Sequence, residues 1–193
     1  MKPLIQKKYL KLYEENAITR VYNLLFKYPE KEFSLSDIAR EAGVAKANLG
    51  KILDELFKLE IITIEKLSKI WRVKANLQNW NYIKNKIVYN LNFIYNSGLV
   101  EFLGAHFNNP KSIILFGSFR KGEDISTSDI DIAIETEDTE YNTINLKELS
   151  VFEEYIHRNI QIHLFNRENI NSNLFSNLVN GIILYGFLEV NNE

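Results

Sequence analysis

One stretch restricts the fold of this chain more than any other. The apolar run Ser112–Phe116 gives way to Gly117-Ser118, ten residues intervene, and Asp129-Ile130-Asp131 then opens a second apolar run that ends at Ile134. Short β-branched runs bounded by Gly, Ser and Asp read as strands, so the stretch is a strand, a polar connection and a second strand. Side chains alternate along a strand, which puts Asp129 and Asp131 on one face, about 7 Å apart at Cβ, while Ile130 and Ile132 face the core.

The residue types in that pattern point to phosphate chemistry. Two convergent carboxylates suit a hard divalent cation, Mg²⁺ or Mn²⁺, and Mg²⁺ fills its remaining positions with water and phosphate oxygens. Gly117 lets the backbone come close to a ligand, and Ser118 offers an amide and a hydroxyl to phosphate. Arg120 and Lys121 are near enough in sequence to add positive charge, or are plain solvated loop charges.

The N-terminal part has a different character. Residues 17–28 carry Ile18, Val21, Leu24 and Leu25 at helical spacing and stop at Pro29. Ser34-Leu35-Ser36-Asp37 reads as a capping box opening a short helix up to Gly43. A third helix beginning near Ala45 is expected to bury Leu49, Ile52, Leu53, Leu56, Phe57 and Leu59 and to leave Lys46, Asn48, Lys51 and Lys58 in solvent. Residues 61–64 and 70–73 are β-prone runs flanking a polar 65–69 segment, which predicts a hairpin.

Further along, Trp80, Ile83, Ile87, Leu91 and Ile94 at steps of three or four predict a connecting helix over 78–97, and 99–107 reads as another. After the two strands already placed come an amphipathic helix over 146–157, a strand at Ile160–Phe165, a last helix over 169–180 and an apolar run at 182–185. Strands and helices mix in an α/β pattern.

Charge separates the two parts. The whole chain of 193 residues has 23 Lys and Arg against 25 Asp and Glu, which excludes a polybasic coat. Residues 1–80 hold 15 basic against 10 acidic side chains and residues 81–193 hold 8 against 15, so a basic front and an acidic back are expected to meet different partners. The absence of cysteine rules out disulfides, thiolate clusters and a cysteine nucleophile. No run of eighteen apolar residues and no secretory-type leader occur, so the expectation is a cytoplasmic protein with no membrane partner.

Two resemblances follow from these residues. The segment Leu35-Ser36-Asp37-Ile38-Ala39-Arg40-Glu41-Ala42-Gly43-Val44-Ala45, with its helices and hairpin, resembles the winged helix-turn-helix domains of prokaryotic transcription regulators. That resemblance implies duplex DNA as partner, with Lys46, Asn48 and Lys51 at base edges or phosphates and Lys66, Lys69 and Arg72 of the wing on the backbone. Winged helices also serve as protein docks, and winged-helix regulators are often dimers, which makes a homodimer compatible with it.

Over about residues 99–193, Gly117-Ser118 and Asp129-x-Asp131 resemble the nucleotidyltransferase superfamily of DNA polymerase β, and most closely its minimal domains. That resemblance implies that Gly117 and Ser118 bind a nucleoside triphosphate and that Asp129 and Asp131 are catalytic and bind the metal. Many members carry a third aspartate on a later strand. Here that position aligns with Gln161, which cannot act as a base. His163 lies on the same strand face, within reach of a proton or a weak metal bond, or is a strand histidine with no reactive role. Glu135 is about 13 Å from Asp131 along the strand, too far to share its metal.

The expected fold class is therefore α/β (α+β): a winged helix over residues 1–77, a helical connector over 78–108 and a small mixed-sheet nucleotidyltransferase-like domain over 109–193. The expected activity is transfer of a nucleoside monophosphate to a protein or other hydroxyl acceptor. The alternative is a DNA-binding regulator whose degenerate domain only binds a nucleotide or a partner, an antitoxin-like role included.

Overall fold

The computed structural model describes residues 16–67, 70–137, 140–168 and 170–189. Three helices open the described chain: α1 (Ala17–Lys27), α2 (Leu35–Glu41) and α3 (Lys46–Lys58). The capping box is formed as expected, with Ser34 accepting from the Asp37 amide and the Asp37 carboxylate accepting from the Ser34 amide. Strands β1 (Ile62–Leu67) and β2 (Ile70–Ala75) pair antiparallel, and Phe33 adds a single rung by exchanging both backbone hydrogen bonds with Val73. Val21, Leu25, Phe33, Ile38, Leu49, Leu53 and Val73 close one core.

Helix α4 (Trp80–Asn96) leads from this body to α5 (Leu99–His106) and a five-stranded sheet. Its strands are β3 (Ser112–Phe116), β4 (Ile130–Glu135), β5 (Asn142–Ile144), β6 (Ile160–Phe165) and β7 (Ile182–Gly186), in the order β5-β6-β4-β3-β7. Only β4 and β6 are parallel; the other neighbours run antiparallel. A helical turn, α6 (Gly117–Lys121), follows β3, α7 (Ser150–Ile156) precedes β6, and α8 (Ser172–Val179) precedes β7.

Alternation assigns the two sheet faces. Ile113, Leu115, Ile130, Ile132, Ile134, Ile160 and Ile162 are buried under α4, α5 and α7. Each such side chain removed from water contributes about 1.5–3 kcal/mol before conformational entropy is set against it. On the opposite face Ile114, Phe116, Ala133 and Phe165 pack with Leu178 of α8. Asp131, two residues before Ala133, lies on this second face, where cover is thinner.

Several elements depart from the sequence reading. Phe57 and Leu59, expected on the buried side of α3, are each 52% exposed. The chain turns at Glu60, which has left-handed backbone (φ 58°), and Ile61 and Ile62 fill the core instead. Strand β1 reaches through Glu65, Lys66 and Leu67, so the hairpin is longer than the apolar runs suggest. The 146–157 helix is broken into a 3₁₀ turn at Lys147–Leu149 and α7. The last helix starts at Ser172, capped by the Asn171 side chain, rather than at 169, which lies outside the described residues.

The largest correction concerns α4. Trp80 is 64% exposed, and the buried stripe is Tyr82, Lys86, Asn90, Phe93 and Ile94. Two polar side chains sit in that stripe because the helix wedges between the N-terminal helices and the sheet, where polar partners await them. Lys86 donates to the Phe26 carbonyl (2.7 Å) at the end of α1 and pairs with Asp124 (3.0 Å) in the connection between β3 and β4. Asn90 donates to Asp124 (2.8 Å) and to the Phe119 carbonyl of α6 (2.7 Å). Arg158 reaches the Lys27 carbonyl (2.9 Å) while facing Asp124 at 3.6 Å. The α6 end packs so closely that a Cβ at Gly122 (φ 70°) would come within 2.8 Å of the Ile83 carbonyl.

Candidate active site

Strand β3 ends at Phe116 and the chain turns at once into α6, with Gly117 in left-handed backbone (φ 72°). A side chain there is excluded twice over. L residues avoid that backbone, and a Cβ would overlap Oδ2 of Asp131, opposite on β4 in register with Phe116. The Gly-Ser turn and the second aspartate, far apart in the chain, are thus in van der Waals contact. Ser118 follows Gly117 and is half-buried. Arg120 and Lys121 form the last turn of α6, Arg120 half-buried and Lys121 exposed.

Asp129 precedes β4 by one residue, and its Oδ1 accepts from Asn159 Nδ2 at 3.2 Å. Asp131 Oδ1 faces His163 Nε2 at 3.3 Å. Both carboxylates therefore reach toward β6, as same-face alternation requires. Gln161 is in register beside Asp131, and Ala133, with its small side chain, is the register partner of His163. His163 is set edge-on to the Phe116 ring (centroids 4.9 Å apart), and its Nδ1 meets the Tyr141 hydroxyl at 2.8 Å.

A carboxylate only accepts, so His163 Nε2 carries the hydrogen; in the neutral ring Nδ1 then accepts from Tyr141. Tyr141 was not foreseen. It precedes the three-residue strand β5, which is too short and polar to show a period. Glu135, set aside as remote, is buried and accepts from the Ser112 hydroxyl (3.0 Å), with Arg167 at 3.5 Å.

Among the described residues, no group of three or more His, Cys, Asp and Glu side chains is placed to hold a metal ion unaided. The donor set nevertheless fits Mg²⁺ or Mn²⁺ bound together with a phosphate. Two oxygen-bearing, hard side chains are present, and Oδ2 of Asp131 opens onto the Gly117-Ser118 turn, where phosphate oxygens would complete an octahedron.

The basic face of the N-terminal body is also defined. Lys46, Asn48 and Lys51 are exposed on α3, and Lys46 donates to the Ser36 hydroxyl at 3.0 Å. Lys66 lies 4.0 Å over the Trp71 ring. Glu32 receives Arg72 at 3.3 Å and Lys74 at 2.8 Å. The Lys74 hydrogen bond above all, with the charges of Lys74 and Arg72, holds the Glu32 carboxyl below its ordinary value against the opposing effect of burial. Lys69 lies outside the described residues.

The mixed five-stranded sheet thus brings the Gly-Ser turn against Asp131, with Asp129 two residues before it. Residues 99–187, a little under half of the chain, match the family model described as polymerase beta, nucleotidyltransferase. The match begins at α5, so that helix belongs with the sheet it covers. Comparisons with curated proteins and with solved structures gave no significant match. No helix among the described residues is long and apolar enough to cross a membrane.

Proposed function

We propose that this chain binds a nucleoside triphosphate with Mg²⁺ or Mn²⁺ and transfers the nucleoside monophosphate to a hydroxyl acceptor on a protein or other molecule. The reading rests on one observation, the contact of Gly117 with Oδ2 of Asp131. That contact supports the reading because a phosphate held at the Gly117-Ser118 turn would lie beside a carboxylate able to share its cation.

Asp129 and Asp131 would hold the cation. Such a cation supplies charge neutralisation on the triphosphate. The chain's own part is positioning: Gly117 admits the phosphates against the backbone, Ser118 donates from its amide and hydroxyl, and Arg120 and Lys121 add positive charge beside them. In the transfer the acceptor oxygen bonds to the α-phosphorus, the bond from that phosphorus to the bridging oxygen breaks, pyrophosphate leaves, and the acceptor hydroxyl loses its proton. Transfer of label from α-labelled ATP to an acceptor is the test. Asp131→Asn abolishes it on this reading, and undiminished labelling in that variant would sink the assignment.

The N-terminal body is read as a winged helix that meets duplex DNA through α3 and the β1-β2 hairpin. Support comes from three helices backed by a hairpin, the Phe33 rung on Val73 and the exposed Lys46, Asn48 and Lys51. A second reading is favoured by Gln161, which stands in register beside Asp131 where an acid would assist proton removal. On it the chain is a DNA-binding regulator, or an antitoxin-like partner, whose domain binds a nucleotide without turnover. Mg²⁺-dependent ATP binding without labelling of any acceptor supports this second reading. A homodimer and a cytoplasmic setting are compatible with both.

A further inference from the structure

Strand β6 and the residue before it present three nitrogen-bearing side chains in a row on the face that carries the aspartates. Asn159, Gln161 and His163 alternate along it, opposite Asp129 and Asp131. Strands β4 and β6 run parallel with Ile130 beside Ile160, and the Ile130 amide donates to the Asn159 carbonyl at 2.8 Å, so the row and the acid pair are locked in register. The outer two members of the row each reach one oxygen of a different carboxylate, Asn159 Oδ1 of Asp129 at 3.2 Å through its Nδ2 and His163 Oδ1 of Asp131 at 3.3 Å through its Nε2.

Behind His163 stands Tyr141 at 2.8 Å, and the Thr143 hydroxyl donates to Tyr141 at 3.4 Å. A hydroxyl chain from β5 thereby fixes which ring nitrogen faces Asp131. His163 is well packed, with its side chain 10% exposed, while Asp131 keeps 25%. The imidazole therefore has little freedom to leave its carboxylate.

We propose that Asn159 and His163 are positioning residues which hold each aspartate by one oxygen, so that the site takes a single divalent cation. This rests on the reading of Asp129 and Asp131 as the metal-binding pair. Each carboxylate has two oxygens, and with Oδ1 engaged by a hydrogen-bond donor, Oδ2 of each aspartate is the oxygen more open to a cation. Two such oxygens suffice for one Mg²⁺ that keeps phosphate and water in its other positions. A second cation would need a protein oxygen of its own, and β6 contributes an amide at Gln161 instead of a carboxylate. Donors that orient metal-binding carboxylates typically change metal affinity ten- to a hundredfold when removed.

The experiment is binding of Mn²⁺ to the full chain, followed by electron paramagnetic resonance, alone and with a non-hydrolysable ATP analogue. The native chain should bind one Mn²⁺ in a site lost in the Asp129→Ala/Asp131→Ala double variant. Gln161→Asp should add a second. His163→Leu should weaken binding about tenfold or more and broaden the signal, and His163→Gln, which keeps an N–H near the same place, should restore most of the affinity and the native line shape. Tyr141→Phe should fall between.

Two Mn²⁺ in the native chain, or affinity in His163→Leu equal to native, overturns the proposal while leaving the acid pair as the metal site. His163→Gln is the control for folding, since a variant that folds as native yet binds like His163→Leu also overturns it. Native binding that survives the double aspartate variant, or no binding at all, overturns the underlying reading of the site itself.

Discussion

The Lys86 ammonium lies 3.0 Å from Oδ2 of Asp124, and each side chain is 1% exposed. The pair joins the connector helix to the loop between the Gly-Ser turn and the aspartates. Burial holds the Lys86 ammonium below its ordinary value against the raising effect of Asp124, which is what removing a charge from water does. Lys86→Met leaves Asp124 with Arg158 at 3.6 Å and Asn90, and strips the Phe26 carbonyl of its donor. The expected loss is about 3 kcal/mol, because an under-compensated buried charge remains. Lys86→Met/Asp124→Leu should recover part of it. Urea unfolding checks both, and since Trp71 and Trp80 both lie outside the five-stranded sheet, tryptophan fluorescence and circular dichroism transitions should coincide in the native chain and separate in Lys86→Met.

Gly117→Ala places a methyl group where Oδ2 of Asp131 lies and forces an L residue into φ 72°. The left-handed backbone alone costs about 1–2 kcal/mol. The collision is relieved only by moving the carboxylate that opens onto the turn. Calorimetric binding of ATP with Mg²⁺ should weaken by at least tenfold, while thermal unfolding shifts by a few degrees. Affinity equal to native would mean that Asp131 takes no part in the site.

Much of this arrangement is legible in the sequence, and the failures share a cause. Ser34 and Asp37 read correctly because a capping box is local. Asp129, Asp131 and Gln161 fall on the expected face because strand alternation needs only neighbours. The stripe on α4 is misread since apolar spacing favours Trp80 and Ile83, whereas burial of Lys86 and Asn90 is decided by Asp124, more than thirty residues away. Tyr141 escapes notice for the same reason: its role exists only through His163, on a strand that follows a helix. Phe57 and Leu59 look like core because periodicity does not announce the turn at Glu60.

Acid should loosen the junction between the bodies. Glu30 accepts from the Ser126 amide at 3.1 Å and from its hydroxyl, clamping the loop before Asp129 to the end of the first helical body. Partial burial raises its carboxyl, but the Ser126 hydrogen bonds and the charge of Arg158 outweigh this and leave it below the ordinary value of 4.5. A carboxyl depressed in the folded state contributes stability that is fully present above its unfolded value and is lost as pH falls through the folded one. The chain should therefore be less stable in urea at pH 3 than at pH 6. Glu30→Gln should make that decline shallower; an unchanged slope would show that the clamp carries no linkage.

Glu32 offers the sharpest test of the proposed DNA face. Its carboxylate holds Arg72 at 3.3 Å and Lys74 at 2.8 Å, both at least 48% exposed, so these cations of the hairpin are partly neutralised in the free chain. Exposed pairs of this kind contribute about 0–1 kcal/mol, little enough for a phosphate to displace the carboxylate. Glu32→Gln should accordingly raise affinity for duplex DNA several-fold at low salt and leave stability almost unchanged. Lys46→Ala and Lys51→Ala should each weaken binding and reduce the slope of log affinity against log salt by about 0.9 for each phosphate no longer neutralised. Fluorescence anisotropy with one labelled duplex at several salt concentrations measures all three. Weaker binding in Glu32→Gln, or slopes that ignore both lysines, would remove α3 and the hairpin from the interface and favour a protein partner for this body.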